Sequence, residues 1–205
     1  MAELHEATIT PRKDELIGPW LRTRRWWDGA DDRDPVGTFR LDDPAGQVGI
    51  ECFLFGSARG STLFVPVTYR AAALPGGGAG LIGTLEHSVL GSRWVYDACV
   101  DPVFVATVLT TIRDGGHEAE LNLHRADGTV EQRDRTARVR GEGATTVCVD
   151  PDGTVAAADT DGCTEVRVDS VRLTVARHVG RELPPGPALV GDYAGGTGLV
   201  LATVG

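Results

Sequence analysis

The chain has 205 residues, 20 of them basic and 29 acidic, for a net charge of −9 and a pI near 5.0. An acidic chain of this kind offers no electrostatic footprint to a nucleic-acid backbone, and 41% hydrophobic with 24% charged content is globular, not disordered. Lys13 is the only lysine, which leaves little room for Schiff-base enzymes, P-loop NTPases or kinases built around a phosphate-binding lysine.

In chain order, "TITPRKDELIGPWL" predicts a short helix. Thr10 would be its N-cap and Pro11 would fit its first turn. Asp14 and Glu15 suit its positive end, and Gly18-Pro19 would stop it. "RTRRWWDGADDRDP" reads as a loop. From Val36 the period changes to two. "VGTFRL", "QVGIECFLFG" and "STLFVPVTYR" predict three strands joined by turns at Asp43-Pro44-Ala45-Gly46 and Ser57-Ala58-Arg59-Gly60. Pro66 inside the third run places it at an edge, a bulge or a strand start. "ALPGGGAG" reads as a flexible break, and "LIGTLEHSVL" and "RWVYDA" as two further strands around Gly91-Ser92.

The main helix is predicted over about 101–114, with Asp101 as N-cap, Pro102 as first residue and two glycines at its end. Phe104, Val108 and Ile112 fall at helical spacing. Its many β-branched residues make it dependent on packing. After Gly116 the pattern is all strand, with hairpin turns at Asp127-Gly128 and Asp152-Gly153. "TEVRVDSVRLTVARHV" alternates, and "ALVGDYAGGTGLVLATV" forms a glycine-interrupted hairpin. The fold class is therefore α+β, predominantly antiparallel β, with one main helix and a short N-terminal one. A soft boundary at Gly115-Gly116 divides the chain into a sheet-plus-helix unit, 1–115, and a β-rich unit, 116–205, unless the two form one continuous domain.

The catalytic motifs are thin. "LPGGGAGLIG" lacks the ending of a P-loop, and neither it nor "GDYAGGTG" leads into a helix that would hold a pyrophosphate. There is no G-x-S-x-G elbow. His5, His87, His117, His124 and His178 are scattered, and "HEAELNLH" is not a helical zinc motif. Cys52, Cys99, Cys148 and Cys163 form no C-x-x-C pair. Cys148 and Cys163 would be the two able to meet across a hairpin. "MAELHEATIT" lacks the apolar stretch of a signal peptide, and no run reaches a membrane span. Together these predict a cytoplasmic protein with free thiols, no catalytic residues, no metal and no cofactor.

Two constellations remain. Glu86, His87, Arg93, Asp97 and Asp101 crowd around a turn beside Trp94 and Tyr96. They read either as a small-molecule pocket or as a salt-bridged corner that sets the helix entry. Trp26-Trp27 can stack on a sugar or a partner, or staple the N-terminal segment to the sheet. With Tyr69 and Arg70, the candidate ligand-binding residues are Trp26, Trp27, Tyr69, Arg70, Glu86, His87, Arg93 and Asp97.

"RWW", "FVPVTYR", "LIGTLEHSVLGSRWVYDACVDPVFVATVLTTI" and "LVGDYAGGTGLVLATV" resemble the N-terminal cap and adjoining lobe of actinobacterial maltokinases. They resemble in particular the short stand-alone proteins named after that cap and often labelled as glucan-branching-associated. The likeness covers most of the chain, and its specific part is the strand–turn–"YDA"–"DP"–helix run. It implies a kinase-N-lobe-like cap plus an intermediate β unit, ending before the lobe that carries the kinase's catalytic aspartate and magnesium ligands. The family's intermediate unit carries a strand of the type L-x-L-K-x-x-R-R whose lysine contacts ATP phosphates. The best match here is "VRLTVARHV", with Thr174 at the lysine position, or Val175 if the register slips. Neither neutralises a phosphate.

The resemblance implies a non-catalytic accessory or regulatory protein of sugar or α-glucan metabolism, with a protein partner or a sugar as ligand and no nucleic acid or membrane. The alternatives are a carbohydrate or small-molecule binding module, and part of a split sugar kinase in which Arg172 or Arg177 replaces the lysine.

Overall fold

The structure, a computed structural model, describes residues 2–29, 34–56, 60–125 and 127–205. In chain order its elements are β1 (Ala2–His5), β2 (Ile9–Thr10), α1 (Lys13–Leu21), β3 (Gly37–Leu41), β4 (Gly49–Gly56), β5 (Thr62–Arg70), β6 (Leu81–His87), β7 (Gly91–Asp97) and α2 (Pro102–Asp114). There follow β8 (Leu121–His124), β9 (Val130–Arg133), β10 (Ala137–Glu142), β11 (Ala156–Asp159), β12 (Cys163–Val168), β13 (Val171–Ala176), β14 (His178–Val179), β15 (Ala188–Tyr193) and β16 (Gly196–Val204). The fold is α+β. No helix among the described residues is long and apolar enough to cross a membrane.

The described strands make three sheets. One runs β2-β6-β7-β5-β4-β3, with β14 added to β5; one runs β10-β15-β16-β13-β12-β11; a small one runs β1-β8-β9. Every pairing is antiparallel except β1 with β8.

Strands β4 and β5 are covered on both faces, which is why their sequences are nearly continuous apolar runs. From β4, Ile50, Cys52 and Leu54 enter one core, and Phe53 and Phe55 enter the other. The first core holds α2 between the seven-stranded sheet and Val139, Val166, Leu173, Val175, Leu189 and Val204 of the six-stranded sheet. It therefore contains side chains from both sides of Gly115-Gly116. The second core packs Ile17, Trp20 and Leu21 of α1, with Trp26, on the opposite face of the seven-stranded sheet.

Helix α2 has the ends its sequence specifies. The Asp101 carboxylate accepts from Val103 N at 3.0 Å, Pro102 follows, and Gly115 closes the helix at φ 62°. Its threonines are satisfied internally: Thr107 and Thr111 each donate to the carbonyl four residues back, at 2.8 Å.

Helix α1 departs from expectation at both ends. It starts at Lys13 with Arg12 as N-cap, because the Glu15 carboxylate takes the Arg12 N–H at 2.9 Å. It also continues through Gly18-Pro19 to Leu21. Pro19 removes one helix hydrogen bond, but Ile17, Trp20 and Leu21 are buried together against the sheet, and that burial carries the last turn.

Pro66 lies inside β5, opposite Cys52, in a strand flanked on both sides. On the side away from β4, β7 pairs only with Val67–Arg70 and β14 only with Thr62 and Leu63. Phe64 N points to that side, toward Arg177 O, and the period of two puts the Pro66 nitrogen there as well. The proline thus sits at a local edge.

The glycine break is a short 3₁₀ turn, Gly77–Gly80, in which a Cβ on Gly80 would lie 2.5 Å from Val100. The Asp152-Gly153 turn forms, with Gly153 N on Asp150 O, but no strand precedes it. Instead Val147, Val149 and Val155 pack along the edge of the first core. Ser57, Ala58 and Arg59 of the expected second turn lie outside the described residues, as do residues 30–33 of the expected loop. All four cysteines are free thiols, Cys52 and Cys99 buried and Cys148 exposed.

Candidate functional site

The eight candidate residues are distributed over four places. Asp97 ends β7 and is buried. Its Oδ2 lies 2.6 Å from Arg177 Nη2, and its Oδ1 accepts from Cys99 N at 3.1 Å. Arg177 has no exposed surface; its Nε donates to Thr164 Oγ1 at 2.7 Å, and Thr164 donates in turn to Asp159 at 2.7 Å. Burial pushes the Arg177 pKa down, but the Asp97 charge outweighs it and the net direction is up. The guanidinium lies 4.7 Å from the ring centre of Trp26. Trp26 is therefore one wall of a buried cation site, edge-on to Trp20, and Trp27 packs partly buried beside it.

Tyr69 belongs to a second network. Its hydroxyl donates to Glu51 Oε2 at 2.8 Å. Lys13, on α1, reaches the same carboxylate at 2.6 and 2.9 Å, and Arg40 Nη2 lies 3.4 Å away. Burial pushes the Glu51 pKa up, but the Lys13 and Arg40 charges and the hydrogen bonds from Lys13 and Tyr69 prevail and hold it at about 2. The Lys13 ammonium also sits 5.5 Å from the Tyr69 ring centre.

Arg70 forms a third arrangement, a two-pronged pair with Asp101 at 2.6 and 2.7 Å. The carboxylate that caps α2 is thus also clamped from β5.

Glu86, His87 and Arg93 stay at the β6–β7 hairpin. Glu86 accepts from Ser92 Oγ at 2.6 Å, and Arg93 donates to Ser92 O at 2.9 Å. His87 Nδ1 accepts from Leu90 N at 3.1 Å and Val89 N at 3.3 Å. Its ring stands edge-on to His5, with centroids 6.3 Å apart, and His5 lies 5.5 Å from His124. Desolvation, then the neighbouring His5 and Arg93 charges, lower the His87 pKa. Because Nδ1 holds the hairpin tip, the neutral ring carries its proton on Nε2 and presents no free lone pair to a metal. Among the described residues no group of His, Cys, Asp or Glu is arranged to hold a metal ion.

Thr174 is buried on β13, between Glu165 of β12 and Thr203 of β16. Of the two arginines weighed as lysine substitutes, Arg172 is exposed, while Arg177 is committed to Asp97.

None of the eight residues lines the groove of about 390 Å³ that opens beside β10. That groove is formed by residues the candidate list omitted. The signal for them was present: "ARVR" places Arg138 and Arg140 on one face of a strand.

Residues 20–101 match the family model of the maltokinase N-terminal cap domain. No curated protein matches the chain. The matched span contains all eight candidate residues and ends on Asp101, the cap of α2. Thr174, Arg177 and the β10 groove lie beyond it.

Proposed function

Because the chain carries a maltokinase N-terminal cap domain over residues 20–101, we propose that it works by binding, not by phosphoryl transfer. It serves as a cytoplasmic accessory or regulatory protein of sugar or α-glucan metabolism. The observation that carries this reading is the place of Lys13. The single lysine of the chain, at the start of α1, is held by Glu51 at 2.6 Å. The strand position that the resemblance matches to an ATP-contacting lysine is a buried, neutral threonine, Thr174. A neutral side chain there supplies no charge to a developing phosphoryl transition state.

Two measurements test the reading. Titration of labelled ATP, with and without magnesium, is expected to give no saturable binding. Affinity capture from native lysate at mild salt is expected to recover a sugar- or glucan-metabolising enzyme. Saturable ATP binding, or recovery of the protein alone across those conditions, overturns it.

A further inference from the structure

Strand β10 turns Ala137 and Val139 into the core and Arg138 and Arg140 outward. Beside it lies the groove of about 390 Å³, lined by His117, Glu118, Glu120, Arg135, Arg138 and Arg140 with Asp192. A second hollow of about 270 Å³ shares Arg135, Arg138 and Asp192 with it, so Arg138 stands where the two meet. The first volume is within the roughly 300–1,000 Å³ of small-molecule sites.

The charges of this groove are nearly all spoken for. Glu118 is buried at its floor, where Oε1 takes Arg135 Nη1 at 3.0 Å and Oε2 takes Val139 N at 2.8 Å. Asp192 stands opposite Arg138 in the strand register, yet its two oxygens are held by Arg140 Nη1 at 2.7 Å and Gly198 N at 2.6 Å. Arg140 also reaches Glu142. Two groups remain. The side chains of Arg138 and Glu120 make no hydrogen bond or ion pair among the described residues, and both residues are exposed and line the groove.

We propose that this groove is a binding site for a phosphate monoester of a small polyhydroxy compound, anchored by Arg138. The guanidinium fork matches two oxygens of a phosphate. Arg135 and Arg140 are pinned by their carboxylates, so among the described residues of the lining Arg138 is the cation whose fork is open to an anion. Glu120 is the free acceptor for a hydroxyl at the other end of the ligand. The carboxylates at the floor and the rim are already satisfied by donors, so they do not compete for the Arg138 fork. The site lies outside residues 20–101 and does not depend on the pathway in which the protein works.

The test uses the full chain labelled with ¹⁵N, in phosphate-free buffer. Arginine Nε signals and the amides of residues 117–120 and 135–140 are followed during addition of glucose 1-phosphate, inorganic phosphate or glucose. Both phosphates are expected to give saturable shifts at these positions, and glucose none. Arg138→Gln, a change at an exposed side chain, should weaken both by about tenfold or more, the worth of a charged hydrogen-bond pair. Its melting temperature should stay that of the parent. Arg167→Gln, on the exposed face of β12, should bind as the parent does. Absence of saturable shifts with either phosphate, equal affinity in Arg138→Gln, or the same shifts with glucose alone would overturn the proposal.

Discussion

The Arg177 guanidinium lies 2.6 Å from the Asp97 carboxylate, with Arg177 fully enclosed and Asp97 6% exposed. The pair joins two sheets: Asp97 closes β7 of the seven-stranded sheet, and Arg177 connects β13 of the six-stranded sheet to β14. The Arg177 backbone makes the same junction, with its N–H on Gly162 O and its carbonyl receiving Phe64 N. Asp97→Asn leaves a buried guanidinium without its counter-charge, and such losses cost about 3–5 kcal/mol. Urea unfolding should show a drop of that size. The double variant Asp97→Asn, Arg177→Met should recover part of it, since no unpaired charge is then buried. A drop below about 1 kcal/mol in Asp97→Asn would mean that the joint is held by its apolar surroundings.

Glu51 gives the protein a defined acid sensitivity. Its pKa falls from 4.5 to about 2 on folding, so the unfolded chain binds the proton more tightly. Stability from this group is fully present above about pH 4.5 and is lost as pH falls through 4.5 toward 2. The shift corresponds to about 3 kcal/mol at 1.36 kcal/mol per unit. Unfolding midpoints measured from about pH 5 to pH 2 should fall more steeply in the parent than in Glu51→Gln. Equal slopes in the two proteins would show that Glu51 is not the group that titrates.

Local signals carried the fold further than they carried the site. Asp101-Pro102 and Gly115 fixed both ends of α2, alternation marked β3, and β4 and β5 stood out as apolar runs between turn clusters, because caps, alternation and turns are read within a few residues. Helix α1 outran its Gly18-Pro19 stop because three side chains buried on a distant sheet outweighed one missing hydrogen bond. Sequence proximity misled for the charged cluster. Glu86, Arg93, Asp97 and Asp101 lie within sixteen residues, yet their partners are Ser92, Arg177 and Arg70, of which Arg70 comes from β5 and Arg177 from the link between β13 and β14. A partner eighty residues away leaves no local trace. The groove was hidden for the same reason, since Arg138 comes to share it with Glu120 and Asp192 only through the register of β10 against β15 and the return of residues 116–118 along its edge.

Gly141 marks where β10 crosses α2. A Cβ there would lie 2.0 Å from the Thr111 carbonyl oxygen and 2.6 Å from Ile112 Cα, both backbone atoms of the helix. No rotamer relieves such contacts, so β10 or α2 must move. Gly141→Ala should cost about 3 kcal/mol, at the upper end of overpacking effects. Because β10 carries Arg138, the amide signals of 135–140 should shift even without ligand. A variant with unchanged stability and unchanged spectra would show that the strand and helix have room to part.

The Arg70–Asp101 pair predicts an asymmetry. Asp101 has no exposed surface and Arg70 keeps 20% of its side chain exposed. Removing the carboxylate lets Arg70 be hydrated, whereas removing Arg70 leaves an ionised carboxylate sealed beneath β5 at the helix start. Asp101→Asn also retains a good N-cap for Val103 N. It should therefore cost only about 1–2 kcal/mol, the worth of the lost charged hydrogen bonds. Arg70→Met should cost about 3–5 kcal/mol, as for other buried charges left alone. The ranking runs against exposure, since the more accessible partner is the more expensive one to remove. Chemical denaturation of the two variants decides it, and a larger loss in Asp101→Asn than in Arg70→Met would show that the unpaired Asp101 carboxylate is not the costlier state at this corner.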